Sequence, residues 1–176
     1  VFGSDKNIGC SPAPIQLKNN TIGRPETFVW NYGDGTANST TSEGLHTHFF
    51  RYSGKNDTTY TVTLSAFNSC GSDSKTLKIK VLPNTVKAFF NTDVFEGCVP
   101  LTVNFTNLSS GGSNSKWDLG DGNVTSTPNP SNIYTTAGEY FVTLFVNNGC
   151  SFDTTKPAVK IKVNPSPIVK FNTSTN

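Results

Sequence analysis

The clearest pattern in this chain is the alternation of apolar and polar positions. In segments 60–66 and 140–146 every second residue is apolar or aromatic, and segments 77–81 and 159–163 repeat the pattern with lysines between the apolar positions. A period of two is that of a β-strand that buries one face and exposes the other. The pattern predicts an all-β protein whose lysines mark the solvent face.

The predicted elements occur twice in the same order. A six-residue phrase at 30–35, Trp-Asn-Tyr-Gly-Asp-Gly, returns at 117–122 as Trp-Asp-Leu-Gly-Asp-Gly. The spacing between the two copies, from residue 30 to residue 117, indicates two domains, each large enough for one thin core. We predict domains at 1–82 and 83–164, with 165–176 as the first strand of a following repeat.

Each phrase combines a strand with a tight turn. The tryptophan alternates with a second bulky residue, Tyr32 or Leu119, so both are expected to face the core. The Gly-Asp-Gly that follows predicts glycines with positive φ and an aspartate that accepts hydrogen bonds from turn amides. The predicted structural residues are Trp30, Gly33, Asp34, Gly35, Trp117, Gly120, Asp121 and Gly122.

These phrases resemble the Trp-Asp-Phe-Gly-Asp-Gly signature of PKD (polycystic kidney disease) domains. The Gly-Cys-x-Pro openings at Gly9–Pro12 and Gly97–Pro100 and the two Tyr-x-Val-Thr-Leu strands extend the resemblance over almost the whole chain. The resemblance implies two tandem immunoglobulin-like β-sandwiches and no reaction. Repeats of this kind are similar to those of large Bacteroidetes cell-surface adhesins of gliding motility, secreted by the type IX system, which implies an extracellular location.

Composition narrows the function classes. Only 15% of the residues are charged and the formal net charge is +2, so no electrostatic footprint for nucleic acid is expected. No apolar run is long enough for membrane insertion. No nucleophile, base and orienting group can be named together, so we expect no enzyme. The first residues carry no signal peptide, which indicates a section of a longer precursor.

Two places in the chain are candidates for metal binding. His46 and His48 fall in a Ser/Thr-rich segment of one repeat only, which predicts a solvated loop, with a transition-metal pair on one strand face as the alternative. Some PKD domains bind calcium through an acidic loop before the tryptophan strand, but 20–25 and 109–114 contain no carboxylate. We therefore expect no cofactor, and leave weak calcium binding open.

The four cysteines fit an oxidising compartment. In the immunoglobulin-like strand order that the resemblance implies, Cys10 and Cys70 lie at opposite ends of one sandwich, roughly 25 Å apart, whereas a disulfide tolerates a Cα separation of about 7 Å. A short linker, Leu82–Asn84, would instead bring Cys10 toward Cys150 in the next repeat. Pairing inside each repeat, Cys10 with Cys70 and Cys98 with Cys150, is the alternative if the strand order differs.

Together with the residue patterns, the resemblance thus implies a non-catalytic structural or adhesive segment, a rigid stalk in a long secreted bacterial surface protein. Its expected partners are neighbouring repeats and a surface polysaccharide or protein ligand. Phe141 and Phe145 alternate outward on one strand and are a candidate surface patch, unless a neighbouring repeat or loop covers them. The alternative function is an accessory substrate-binding module of a secreted protease or polysaccharide hydrolase.

Overall fold

The computed structural model describes residues 2–40 and 44–170, and in these residues all regular structure is β-strand. The chain forms two compact units: residues up to 86 together with 148–151, and residues 87–147 together with those from 152 onward. Nothing in the described residues is a helix long and apolar enough to cross a bilayer.

The strands of the first unit are β1 (Phe2–Ser4), β2 (Ile8–Cys10), β3 (Ala13–Asn19), β4 (Thr27–Asn31), β5 (Gly44–Phe50), β6 (Thr58–Asn68) and β7 (Gly71–Leu82). The strands of the second unit are β8 (Phe90–Thr92), β9 (Glu96–Cys98), β10 (Leu101–Asn107), β11 (Asn114–Asp118), β12 (Val124–Thr125), β13 (Ser131–Tyr134), β14 (Gly138–Asn147), β15 (Phe152–Thr154) and β16 (Val159–Asn164).

The first unit is a two-layer sandwich. One sheet has the order β1-β3-β5 and the other the order β2-β7-β6-β4. Strict alternation along β3 buries Ala13, Ile15 and Leu17 completely. Trp30 of β4 is fully buried opposite them, and the ring of Phe2 meets it edge to face at 5.5 Å. The period-two pattern therefore places one apolar face of each sheet in a shared core.

The second unit repeats this plan. One sheet has the order β13-β10-β8 and the other β12-β11-β14-β16-β9, with β15 also paired to β14. Trp117 of β11 is fully buried, with the rings of Phe90 and Phe105 at 5.0 and 5.7 Å. In both units a short strand that carries a cysteine, β2 or β9, pairs in parallel with the last long strand.

The strand registers show which residues correspond. Phe2 pairs with Asn19 in the first unit, as Phe90 does with Asn107 in the second. Ile15 pairs with His48, and Val103 at the matching position of β10 pairs with Asn132. His48 and Asn132 are therefore structural equivalents, although the segment between the Gly-Asp-Gly turn and this strand is longer in the first unit.

The predicted division at 82/83 follows the end of β7. The loop 148–151, which sequence analysis assigned to the second domain, is grouped with the first unit. There the Asn148 amide donates to the carbonyl of Pro83 at 2.8 Å. Residues 165–170 form no strand, and 171–176, where a third repeat would continue, lie outside the described residues, so that assignment stays a prediction.

Gly120 and Gly122 offer a test of the turn within one phrase. Both have positive φ, 81° and 92°, but a Cβ at Gly120 would lie 2.7 Å from the Phe141 backbone nitrogen, whereas one at Gly122 would meet open space. We expect Gly122→Ala to lower the free energy of unfolding by about 1 kcal/mol through the left-handed backbone alone. Gly120→Ala adds the clash and should cost about 3 kcal/mol. Urea unfolding measures both, and equal losses would contradict this account of the turn.

Candidate functional site

The Gly-Asp-Gly turn of the first unit is held by the aspartate. The Oδ1 atom of Asp34 accepts hydrogen bonds from the Thr36 amide at 3.1 Å and from the Thr36 hydroxyl at 2.6 Å. Asn31 prepares the turn, because its Oδ1 accepts the Gly33 amide at 2.8 Å. Gly33 and Gly35 have φ of 72° and 83°. The short polar side chains thus replace the backbone partners that a sheet would supply.

The second unit builds the same turn with different residues. The Oδ1 atom of Asp121 accepts the Asn123 amide at 3.0 Å, and Asp118 accepts the Gly120 amide at 2.9 Å. Asp118 therefore does in this turn what the neutral Asn31 does in the first. A negative charge at this position is not required for the turn.

His46 and His48 lie on β5, so the prediction of a solvated loop is wrong. Both face inward, because β5 pairs along its whole length with β3, whose alternate residues fill the core. The alternation in β5 is inverted in polarity: its outward residues include the apolar Leu45 and Phe49, which are 61% and 52% exposed. Because of this inversion, the periodicity of apolar residues did not predict the strand.

The inward histidines, with Tyr32 and Asp34, form a cluster that we name the histidine cluster. His48 Nε2 lies 2.7 Å from Asp34 Oδ2, and the His48 ring stacks on Tyr32 with centroids 3.7 Å apart and planes 4° apart. His46 Nε2 lies 3.1 Å from the Tyr32 hydroxyl, and its ring meets Trp30 edge to face at 4.6 Å. Both imidazoles are thus engaged by neighbouring side chains.

Burial and hydrogen bonding set the ionisation of the histidine cluster. Burial raises the pKa of the Asp34 carboxyl, but the hydrogen bonds from His48 and Thr36 outweigh it, and the net pKa is lowered. Burial lowers the pKa of His46, and the neighbouring His48 lowers it further. Burial also raises the pKa of the Tyr32 hydroxyl. The environment therefore favours a charged Asp34 and a neutral His46.

The second unit has a corresponding cluster without histidine. The Asn132 side-chain amide takes the place of His48 and donates to Asp121 Oδ2 at 2.8 Å. The Asn123 side-chain amide donates to the same atom at 2.9 Å. The Tyr134 hydroxyl donates to the Leu119 carbonyl at 2.8 Å, and burial raises the pKa of Tyr134 to about 12. The shared role of both clusters is to fasten the turn to a strand of the opposite sheet.

Neither cluster combines a nucleophile with a free base, since the titratable groups bond to one another or to the backbone. Across residues 2–40 and 44–170, no three His, Cys, Asp or Glu side chains gather in a way that could hold a metal ion. The alternative of a metal pair at His46 and His48 meets the further difficulty that both imidazoles already contact Tyr32 or Asp34.

The cysteines are placed as follows. Cys10 and Cys150 form a disulfide with a Cα separation of 5.5 Å, which is the pair favoured by sequence analysis. Cys70 and Cys98 are free and exposed. The alternative pairing of Cys10 with Cys70 and Cys98 with Cys150 is not what the structure contains.

Phe141 and Phe145 lie on the outward face of β14. Phe141 is 55% exposed, and Phe145 is half-buried. A third member that the sequence did not indicate is Phe152 of β15, which is 71% exposed and stacks on Phe145 with centroids 5.9 Å apart. Phe152 follows an irregular turn, so the alternation of apolar and polar residues does not indicate whether its side chain faces the core or the solvent. These three residues form what we name the aromatic patch.

The histidine cluster predicts acid sensitivity of the first unit. A lowered His46 pKa means that the unfolded chain binds more protons, so stability is lost as pH falls below about 6.5, the ordinary pKa of histidine. The lowered Asp34 pKa adds a second loss only below about pH 4. We expect His46→Gln, which can still bond to Tyr32, to flatten the first of these losses in urea unfolding.

Hydrogen exchange supplies an internal control, because both histidines of the chain lie in the first unit. Between about pH 7 and 5, and after correction for intrinsic exchange rates, amides of β6 should lose protection while those of β14 keep it. Equal loss in both strands, or an unchanged profile in His46→Gln, would rule out the histidine as the cause.

Comparison with known proteins gives two matches to the family described as PKD domain, one over residues 4–81 and one over 80–163. A solution structure from Methanosarcina mazei is 34% identical, with 46% of this chain and 54% of that chain covered and a TM-score of 0.39; the match thus spans about half of that protein. The PKD1 domain of the Vibrio cholerae metalloprotease PrtV is 32% identical, covering 43% and 94%, with a TM-score of 0.36.

Murine CEACAM1b is similar in fold alone, at 12% identity over 93% of this chain and 99% of that one, with a TM-score of 0.53. No curated protein sequence matches the chain. The two PKD matches together run from residue 4 to residue 163. The chain therefore belongs to the PKD domain family and consists of two tandem PKD domains with immunoglobulin-like β-sandwich folds.

Proposed function

We propose that this chain is a load-bearing segment of a stalk in a long secreted bacterial surface protein, which holds an adhesive region away from the cell for attachment or gliding. PKD domains are typically non-catalytic extracellular modules, and a disulfide fits an oxidising environment. Secretion by the type IX system and an origin in the Bacteroidetes are part of the same proposal, and the resemblance of the Gly-Cys-x-Pro openings supports them.

The observation that carries the proposal is the Cys10–Cys150 disulfide. The two cysteines are separated by 140 positions in a chain of 176 residues. A pulling force that enters near one end of the chain and leaves near the other crosses this covalent bridge. The strands between the cysteines then lie off the path of the force, whereas β1, β2, β15 and β16 remain on it.

The same bridge stabilises the folded chain. Closing a loop of this length lowers the entropy of the unfolded state, which contributes on the order of 5 kcal/mol by the chain-entropy relation. A proline, Pro83, follows directly after β7 and restricts the backbone of the connection. Low net charge and exposed Thr, Ser and Asn residues suit a spacer that has no chemical task of its own.

Single-molecule pulling from the two ends tests the load-bearing role. In the oxidised chain only residues before Cys10 and after Cys150 can extend, so we expect a contour-length gain of roughly 130 Å, against roughly 600 Å after reduction. The Cys10→Ser variant should behave as the reduced chain does. Cys70→Ser is the matched control and should keep the short extension, because Cys70 is free. A long extension of the oxidised wild type would refute the load-bearing role.

The aromatic patch supports a second candidate, an accessory module that grips the insoluble substrate of a secreted protease or polysaccharide hydrolase. Aromatic rings that lie together on a surface can mark a binding site, since flat apolar ligands stack on such rings. The similar PKD1 domain of Vibrio cholerae PrtV belongs to a metalloprotease.

Retention on chitin, cellulose and collagen distinguishes the two candidates. If the aromatic patch binds one of these polymers, the double variant Phe141→Ala and Phe152→Ala should reduce retention about tenfold or more, because each substitution removes a ring on which the polymer stacks. Phe67→Ala is the matched control, since Phe67 is 40% exposed but lies in the first unit. Retention that is absent in the wild type, or unaffected by the double variant, would leave the stalk as the supported function.

A further inference from the structure

One strand of the first unit, β5, has an edge that no other strand covers. Among the residues that the structure describes, β5 pairs with β3 only and ends the sheet β1-β3-β5. Ser39, which lies before β5 in the chain, pairs instead with Trp30 of the opposite sheet, through two backbone hydrogen bonds of 2.8 and 3.0 Å. The outer edge of β5 therefore stays open, although the chain on both sides of β5 belongs to the same unit.

The strand register shows which backbone groups point away from this edge. The amide and the carbonyl of Gln16 in β3 both point toward β1, since they bond to Asp5 at 2.9 and 3.0 Å. The alternate residues of β3 therefore bond to β5, and they pair with its even-numbered residues. The N–H and C=O groups of Leu45, Thr47 and Phe49 are thus directed outward, where a further strand would bond to them.

This edge lacks the features that protect other sheet edges. β5 has seven residues, Gly44–Phe50, with no Pro, Lys, Arg, Asp or Glu among them, and Leu45 and Phe49 are exposed on its outer face. The equivalent β13 of the second unit has only four residues and follows closely on Pro128 and Pro130. Short edge strands, charges and prolines prevent a further strand from pairing. Only β13 has such protection.

The two sheets of the first unit differ in width. The opposite sheet has the four strands β2-β7-β6-β4, and the segment at Ser39 extends it beyond β4, whereas the sheet that β5 ends has three strands. The narrower sheet can thus take one added strand beside β5. A second copy of the sandwich would bring its own wider sheet against the Ser39 segment, so a single extended segment is the occupant that fits.

A pocket with a cationic side chain lies directly after β5. It has a volume of about 220 Å³ and is lined by Ser11, Pro12, Arg51, Tyr52 and Ser53. The Ser11 hydroxyl donates to the Tyr52 carbonyl at 2.8 Å and accepts the Tyr52 amide at 2.7 Å, which joins its two walls. Arg51 is exposed and forms no ion pair with any residue that the structure describes. Its guanidinium is therefore available to a carboxylate, which it can bind through two N–H groups.

We propose that β5 binds an extended peptide segment of another protein, which adds to the sheet as an antiparallel strand and places an acidic side chain on Arg51. Backbone hydrogen bonds to the outward groups of β5 supply the binding. Side chains that lie beside Leu45 and Phe49 supply a preference for apolar or β-branched residues. The partner is thus an acidic residue followed, at every second position, by such residues. This binding function goes beyond the stalk and does not depend on it.

A synthetic peptide tests the site in the whole chain. The probe is acetyl-Asp-Ser-Val-Thr-Thr-Ser-Val-amide, whose aspartate faces Arg51 and whose valines face Phe49 and Leu45 in antiparallel register. We expect saturable binding with a Kd below about 1 mM. By NMR, the amides of Leu45, Thr47 and Phe49 should exchange about tenfold more slowly with peptide bound, whereas those of His46 and His48, already bonded to β3, should not change. Absence of binding at this concentration, or protection of other strands instead, would refute the proposal.

N-methylated peptides test the backbone pairing. Methylation of the fifth residue of the peptide, whose N–H faces Thr47, should weaken binding about tenfold or more, because it removes one hydrogen bond and blocks the approach of the strand. Methylation of the fourth residue, whose N–H points away from β5, is the matched control and should leave binding nearly unchanged. Equal losses in the two peptides would exclude strand addition.

Charge reversal tests the role of Arg51. Arg51→Glu should weaken binding of the aspartate peptide about fivefold and strengthen binding of a peptide with lysine in that place. Lys116→Glu, at an exposed lysine of the second unit, is the matched control and should change neither affinity. An Arg51→Glu variant that binds both peptides as the wild type does would contradict the acidic preference. Protection of the same three amides by raised protein concentration, without peptide, would assign the edge to a second copy and overturn the proposal.

Discussion

In each domain the two sheets are tied together by one carboxylate. Asp34 and Asp121 sit in a turn that leaves one sheet, and each bonds to a side chain on a strand of the other sheet, His48 or Asn132. The turn can make this bridge only because Gly33 and Gly120 let it approach the neighbouring backbone, where a Cβ would clash. Apolar burial drives the two layers together, and the carboxylate fixes how they meet.

The partner of that carboxylate can change while the architecture stays. An amide side chain, that of Asn132, bonds to Asp121, whereas an imidazole, that of His48, lies against Asp34, and burial lowers the pKa of the adjacent His46. Tyr32 extends the difference, because it stacks on His48 and bonds to His46, while its counterpart Leu119 offers only its backbone carbonyl. The two domains therefore share a mechanical design and differ in their response to acid.

Much of this fold follows from local patterns in the sequence. The long strands follow from alternation, and the positive φ of the turn glycines follows from Gly-Asp-Gly. The β5 strand was not predicted, because its polar residues face inward and its apolar residues face outward. This reverses the usual burial of apolar side chains.

Features that depend on distant segments were harder to predict. The partner of Cys10 lies far along the chain, and strand order was needed to choose it. Phe152 follows an irregular turn, so no periodicity indicated its exposure.

Tandem copies of one fold carry a risk of misassembly, since a strand of one repeat can pair into the sandwich of its neighbour during folding. The difference between His48 and Asn132 works against such hybrids. A β5 strand in the second sandwich would bring His48 beside Leu119 without a ring on which to stack. A β13 strand in the first would leave Tyr32 without its imidazole partners. Divergence at these inward-facing polar positions thus makes pairing within one repeat more favourable than a hybrid of the two.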